Sequence, residues 1–450
     1  MKKILAIGVL LFFLVGCINV LSKDTNVFSK DLSKNASKDN DLFSKNENDR
    51  AINSSISTSE IKKDVNEINK SLEKSYTFSK HLSSYQEKNE GNLLEGTNCK
   101  GSGTTNFTFA PRRLEDIGFI EPMGLMLGDH VTPIDHQYYY PPKWKENVEL
   151  SDLKDVLAPG DGIITEIQRM PSFFTKIKKE DMQDYRLIIQ HTCTFYSIYI
   201  HIYVLSPKIK TTLGDIQPSE NKRVNVPVSA GEVIGQANSF DFSVHDDTIV
   251  LSGFIVQEHY QREPWKIHTV DPFNYFVEPL KSELLAKDIR QANPRGGKID
   301  NDVDGKLIGN WFVQNTNGYL GIKQPDYWGT HVSFSPDVID PSHFIVSLGS
   351  YEGTAKQFGV LENKPLPEDV SISSGKIVYE LVDYNYQTES GKIWDGKEYA
   401  NTLHAVNQKQ VRGTVLIELL SERTLKLEIF PSKKKSDVVG FTEHAIVYER

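Results

Sequence analysis

The chain is poor in cysteine, with three among its 450 residues, and none of them stands in a pair spaced for a zinc site. It also lacks a positive excess: a net charge of -9 and an isoelectric point near 5.8 give no global attraction for nucleic acid. Its first apolar run, Ile4 to Val15, is too short to span a bilayer comfortably as a permanent helix. No internal repeat of fixed period is present, and none of the twelve histidines falls in a His-x-His arrangement. These absences set nucleic acid aside and leave envelope components or small molecules as the expected partners.

What the N-terminus does hold is Lys2 and Lys3 ahead of that apolar run, then Gly16 and Cys17, the layout of a signal peptide over residues 1–16. Leu14-Val15-Gly16-Cys17 resembles a lipobox. The resemblance implies acylation of Cys17 and a lipoprotein held on the outer side of the cytoplasmic membrane or in the outer membrane. An uncleaved anchor helix is the alternative, and with either the remainder is exported. Cys99 and Cys193 then lie in a compartment that permits disulfides. They pair with each other, or Cys193 is a small core residue and Cys99 a solvated thiol; the sequence leaves both readings open.

Residues 17–92 are rich in Ser, Lys, Asn and Asp, with few aromatics, and cannot bury a core alone. They read as a tether, disordered or partly helical; as a flexible coil its reach is on the order of 50 Å. Ile61, Val65, Ile68 and Leu72 recur at helical spacing behind a Ser57-to-Glu60 capping pattern, a candidate helix at 58–74. Aromatic and β-branched residues with Gly/Pro punctuation begin after Cys99. The length that remains suggests two domains: a β domain over 93–280, a helical linker over 281–305 marked by Leu280, Leu284, Leu285 and Ile289, and a C-terminal β domain, sandwich or barrel, over 306–450.

In the first of these, VLAPGDGIITEI looks like two short strands around a Pro-Gly-Asp-Gly turn, and VSAGEVIGQA repeats the idea with Ala-Gly at its turn. Together with His130, Asp135, His136 and Tyr199-Ile200-His201, these segments resemble the lysostaphin-type peptidoglycan endopeptidases. The resemblance implies a duplicated-hybrid-motif β-sandwich or barrel and a zinc hydrolase outline. In that family a His-x-x-x-Asp pair and the second histidine of a His-x-His pair bind zinc, leaving an open position that acidifies water for a nearby imidazole. Carried over, it makes His130, Asp135 or the adjacent His136, and Asp241 the metal ligands, with His201 as acid or base and His245 as a substitute ligand. The diagnostic motif is broken, because Ser239-Phe240-Asp241-Phe242-Ser243-Val244 stands where the family has both histidines. Ser239 cannot accept a proton near neutral pH as an imidazole does. Single residues also have plainer readings: His201 as a hydrogen-bonded structural histidine, His191 as a strand end, and Tyr138, Tyr139 and Tyr140 as packing rather than a glycan or peptide groove.

Past Gly305 the text is again strand-like, with Leu416–Leu420 and Thr424–Phe430 as a hairpin around Ser421-Glu422-Arg423. Gly309-Asn310-Trp311 is similar to the opening strand of lipocalin-like barrels, which implies a ligand barrel with an apolar cavity beneath Trp311. His331, Asp337, Asp340 and His343 follow no metal spacing, and Asp340-Pro341-Ser342 reads as a turn. The expected fold class is therefore all-β in the main. Three functions are carried forward: a membrane-anchored envelope lipoprotein whose peptidase-like domain binds or scaffolds without catalysis, on a cell-wall glycan, peptide or envelope protein; a divergent zinc hydrolase of peptidoglycan or peptide; and a small-ligand receptor built on the C-terminal domain. No cofactor is expected for the first and third, and zinc for the second.

Overall fold

The computed structural model describes residues 99–144, 148–171, 182–261, 263–321 and 327–450. The signal peptide, Cys17 and the tether with its candidate helix lie outside the described residues. In chain order the first half carries β1 (Phe119–Glu121), β2 (Gln137–Tyr140), β3 (Lys154–Leu157), β4 (Gly162–Arg169), β5 (Tyr185–Thr192) and β6 (Phe195–Ile202). It continues with β7 (Val204–Leu205), helix α1 (Pro207–Leu213), β8 (Asn221–Val228), β9 (Val233–Ala237), β10 (Phe240–Asp246), β11 (Thr269–Val270) and helix α2 (Leu280–Leu285). The second half is β12 (Gly309–Val313), β13 (His331–Pro336), β14 (Phe344–Tyr351), β15 (Thr354–Val360), β16 (Lys376–Thr388), β17 (Leu403–Ser421), β18 (Thr424–Pro431) and β19 (Ile446–Glu449). The fold is all-β in the main, as the sequence suggests.

The two strand-turn-strand segments form as expected, but neither folds back on itself as a hairpin. Instead β3 pairs with β9 and β4 with β8, so each turn sends one strand into each of two sheets. The turns are fastened together: Gly231 N–H donates to Ala158 O at 2.9 Å, and Ala230 N–H to Asp161 Oδ1 at 2.8 Å. Glycine is needed at 231, where φ is +80° and a Cβ would meet the Phe109 ring at 2.7 Å. The small sheet runs β3-β9-β7; the large one runs β1-β2-β10-β6-β5-β4-β8, with β11 added to β10. Alternation along β5, β6 and β10 sends Leu187, Ile189, Phe195, Tyr199, Phe240, Phe242 and Val244 into one core. By the same pleat, Asp241, Ser243 and His245 face the other way.

Cys99 and Cys193 are disulfide-bonded, tying the start of the described chain to the β5–β6 turn. Gly103 strengthens that attachment, donating to Thr194 Oγ1 and accepting from Thr192 Oγ1.

Strands β12 to β19 pair in sequence order and close, β19 against β12, into an antiparallel barrel. Inward positions at period two, among them Trp311, Phe334, Val346, Tyr379, Val415, Ile417 and Leu427, fill it with buried apolar side chains. Trp311 donates from Nε1 to Leu307 O at 2.8 Å, and the Arg450 guanidinium lies 4.0 Å from its ring centre. Ser421 pairs with Thr424, so the β17–β18 turn is the two residues Glu422-Arg423. The stretch expected as a helical linker is helical only at α2 and then packs irregularly. Asp288, Ile289 and Arg290 are buried, and Arg290 donates to Val338 O across to the barrel side. The far ends of β16 and β17 extend as an arm whose Trp394 meets Phe119 of β1, 5.7 Å between ring centres. The described residues accordingly belong to one compact unit. No helix among them is long and apolar enough to cross a membrane.

Phe242→Ala removes a fully buried ring that contacts Tyr139, Tyr199 and Phe276. The expected loss is about 3–5 kcal/mol in urea unfolding, whereas Val439→Ala, at a fully exposed site, should change stability by less than about 0.5 kcal/mol.

Candidate functional site

The polar face of the large sheet is organised by β10, which lies between β2 and β6 and places Asp241 opposite Tyr138 on one side and Ile200 on the other. Beside it, β6 carries a bulge: Tyr185 pairs with Ile202 and Leu187 with Tyr199, leaving Ile200 and His201 against Arg186 alone. His201 takes the left-handed conformation there, φ +68°. Histidine tolerates that region better than most residues, yet the conformation still costs on the order of 1–3 kcal/mol. Its effect is to turn the imidazole toward two carboxylates. Nδ1–H donates to Asp184 Oδ2 at 2.9 Å, and Nε2 stands 3.6 Å from Asp241 Oδ2.

His136, one residue before β2, approaches the same Asp241 oxygen from the other side, Nε2 to Oδ2 at 3.4 Å. Its Nδ1–H donates to Asp135 Oδ1 at 3.0 Å. The second oxygen of Asp135 accepts from Trp265 Nε1–H at 3.1 Å and lies 3.7 Å from Lys266 Nζ. Trp265 and Lys266 come from a 3-10 turn, Pro264–His268, laid over the end of β10. Lys266 is buried, with Glu263 Oε2 at 3.7 Å as its second carboxylate.

His245 fixes that turn. Its Nδ1–H donates to Trp265 O at 3.0 Å while Nε2 accepts from the Ser243 hydroxyl at 2.8 Å. Both ring nitrogens are thus engaged inside the protein, and burial pushes the imidazole down to about 4, keeping it neutral. The other two histidines are shifted the other way. For His136 burial opposes protonation, but Asp241 and Asp135 outweigh it and raise the group. For His201 burial is again outweighed, by Asp184 and then Asp241, and the imidazole is lifted to about 10. Burial would raise Asp135, yet Lys266 and His136 hold it well below the usual carboxylate range.

Of the residues nominated from sequence, the structure therefore brings together Asp135, His136, His201 and Asp241. His130, on a turn with Leu127, keeps part of its surface in solvent, but its ring lies 5.8 Å from that of His136 at the rim of the same cluster, and burial, with His136 and Lys266 beside it, pushes the imidazole down to about 3. His245 is close but serves the turn. Asp184, Glu263, Trp265 and Lys266 carry no motif and were not nominated. Their proximity follows from the bulge and from a 3-10 turn reaching across 130 residues of sequence. The tyrosines divide by the pleat: Tyr139 stacks on Phe240 in the core, while Tyr140 stacks on Phe119 and donates to Glu121 Oε2. His191 bonds Asp161 O and Ser197 Oγ; His331 meets Tyr319 O. Asp337 accepts from Tyr386, and Asp340 caps Ser342 in a turn.

The donors do not fit a catalytic zinc. Metal binding needs neutral imidazoles and available carboxylate oxygens, whereas Asp135 has one oxygen bonded to His136 and the other to Trp265 and beside the Lys266 ammonium; His136 Nε2 and Asp241 Oδ1 are buried without a hydrogen-bond partner among the described residues. Four carboxylates, of Asp135, Asp184, Asp241 and Glu263, face Lys266 and the imidazoles of His136 and His201, and burial raises Asp241 and Glu263. Among the described residues no group of three or more His, Cys, Asp or Glu side chains is arranged to hold a metal ion.

No protein-family profile matches the chain, and no curated protein does. Among solved structures it is similar to a chain of the SpoIIQ–SpoIIIAH pore-forming complex, at 11% identity and a TM-score of 0.22, covering 40% of this chain and 96% of that one. It is also similar to lysostaphin as solved by NMR, at 10% identity and a TM-score of 0.21, covering 77% and 92%. At such scores both likenesses are slight.

A raised imidazole stabilises the fold where it is protonated in the native state. The His201 contribution should be complete below its unfolded value of about 6.5 and vanish as pH rises through about 10. Asp184→Asn removes its main partner, so the stability gap between wild type and variant should be wide at pH 6 and narrow at pH 10.5 by urea unfolding. A gap that widens with pH would contradict this assignment.

Proposed function

We propose that the chain is a membrane-tethered envelope lipoprotein whose peptidase-like half binds or scaffolds without hydrolysing anything. The observation that carries the reading is an ionic cluster in which Asp135, His136, His201 and Asp241, the residues the resemblance assigns to a hydrolytic centre, face one another and Asp184, Trp265 and Lys266, with His136 Nε2 and Asp241 Oδ1 buried without a hydrogen-bond partner among the described residues. Ser239 and Asp241 standing in place of two histidines agree with it. A buried ionic network of this kind holds a surface in one conformation, a use for which such networks are retained in some proteins. The partner is a cell-wall glycan, a peptide or an envelope protein, reached by a tether from the lipid anchor at Cys17. The Cys99–Cys193 disulfide suits an exported protein.

Two experiments test the two parts. For the anchor, cells expressing the full chain are labelled with radioactive palmitate; label on wild type and none on Cys17→Ala is expected, and an unlabelled wild type would remove the lipoprotein reading. For the domain, purified protein is incubated with peptidoglycan sacculi and with cell-wall peptides in the presence of zinc. Retention without release of reducing ends or free amines is expected. Turnover that His201→Ala abolishes would overturn the non-catalytic reading.

A further inference from the structure

Lys266 is the least expected member of the cluster. An ammonium with 3% exposure must recover its lost hydration from partners fixed around it. Those partners are built in. Asp135 Oδ2 and Glu263 Oε2 each stand 3.7 Å from Nζ, and the Tyr319 ring centre lies 4.8 Å away as a third, π-type partner. The turn that delivers the lysine is pinned at its neighbour: the Arg186 guanidinium lies 5.6 Å from the Trp265 ring centre, Trp265 O accepts from His245, and Trp265 Nε1–H shares the Asp135 oxygen that Lys266 faces. Two successive residues of one short turn are thus spent on one carboxylate. That carboxylate is the one the peptidase resemblance assigns to a metal.

We propose that the Lys266 ammonium is a resident cation that takes the electrostatic place of a metal ion in this cluster. Its single charge offsets one of the two on Asp135 and Glu263, and it repels a metal ion that approaches their oxygens. The chemistry supports the substitution. A lysine is a compact point charge with three donors, matched to two carboxylates and a ring face, and it cannot act as a ligand while protonated. This inference concerns what fills the centre and stands apart from which partner the protein binds.

The test is metal binding by the full chain in detergent micelles, measured by equilibrium dialysis against zinc chloride and, separately, manganese chloride, with melting followed by circular dichroism. Wild type should show no saturable site and no rise in melting temperature. Lys266→Met leaves Asp135 and Glu263 without their cation and should gain a saturable site, at least about tenfold tighter than any wild-type binding, as expected when a like charge is removed from contact. Lys266→Arg should behave as wild type. Stoichiometric zinc on wild type, or a folded Lys266→Met that binds no more metal than wild type, would overturn the proposal. If Lys266→Met does not fold, Lys266→Met/Asp135→Asn decides. The double variant should recover the fold and bind no metal; its failure to fold while Asp135→Asn alone folds would show that Lys266 is not there for that carboxylate.

Discussion

The pairing of β10 with β2 on one side and β6 on the other is the constraint from which the rest of the first half follows. It interleaves Phe240, Phe242 and Val244 with Tyr139 and Tyr199 in the core, and by the pleat it must then present Asp241, Ser243 and His245 together on the opposite face. A shift of one residue would exchange the two sets and bury three polar side chains among aromatic rings. The register is therefore held by apolar burial, and the ionic cluster inherits its geometry.

Within the cluster the balance of charge decides the chemistry. Taking carboxylates and imidazoles out of water costs several kcal/mol for each ion, and the cost is offset only where every charge has an opposite at short range. Asp241 lies between His136 and His201, Asp184 orients His201, and Asp135 is shared by His136, Trp265 and Lys266. The backbone at His201 is left-handed to complete the arrangement. Strain of that kind persists where its surroundings fix it, and here the fixing groups are two carboxylates.

Much of the fold was legible before any coordinates. Alternating apolar residues with Gly/Pro punctuation point to short strands, Ser421-Glu422-Arg423 to a hairpin, and Ala230-Gly231 to a turn. The two cysteines were left open, and their bond depends on the β5–β6 turn meeting a segment 94 residues away. Sheet membership was not legible, since local pattern cannot say that β3 seeks β9 and β4 seeks β8 rather than each other. The same holds for the linker: its polar, glycine-rich text resembles an exposed connection, yet Asp288 and Arg290 are buried by partners far along the chain. In the site, His136, His201 and Asp241 were nominated through the resemblance to the lysostaphin-type motifs. Lys266 and Asp184 were not, because a buried lysine or aspartate has no signature until its counter-charges are placed, and Asp135 for Lys266 and His201 for Asp184 come from other elements of the chain.

The cluster is an ionic network assembled from the protein's own charged groups. Nitrogen-15 NMR of the histidine rings at pH 7 tests it most directly, since it reads the protonation state of each imidazole. Protonated His136 and His201 beside a neutral His245, with none of the three shifted by zinc or by a chelator, is the predicted spectrum. Neutral rings at His136 and His201 whose resonances move when a chelator is added would show a metal centre and contradict the claim.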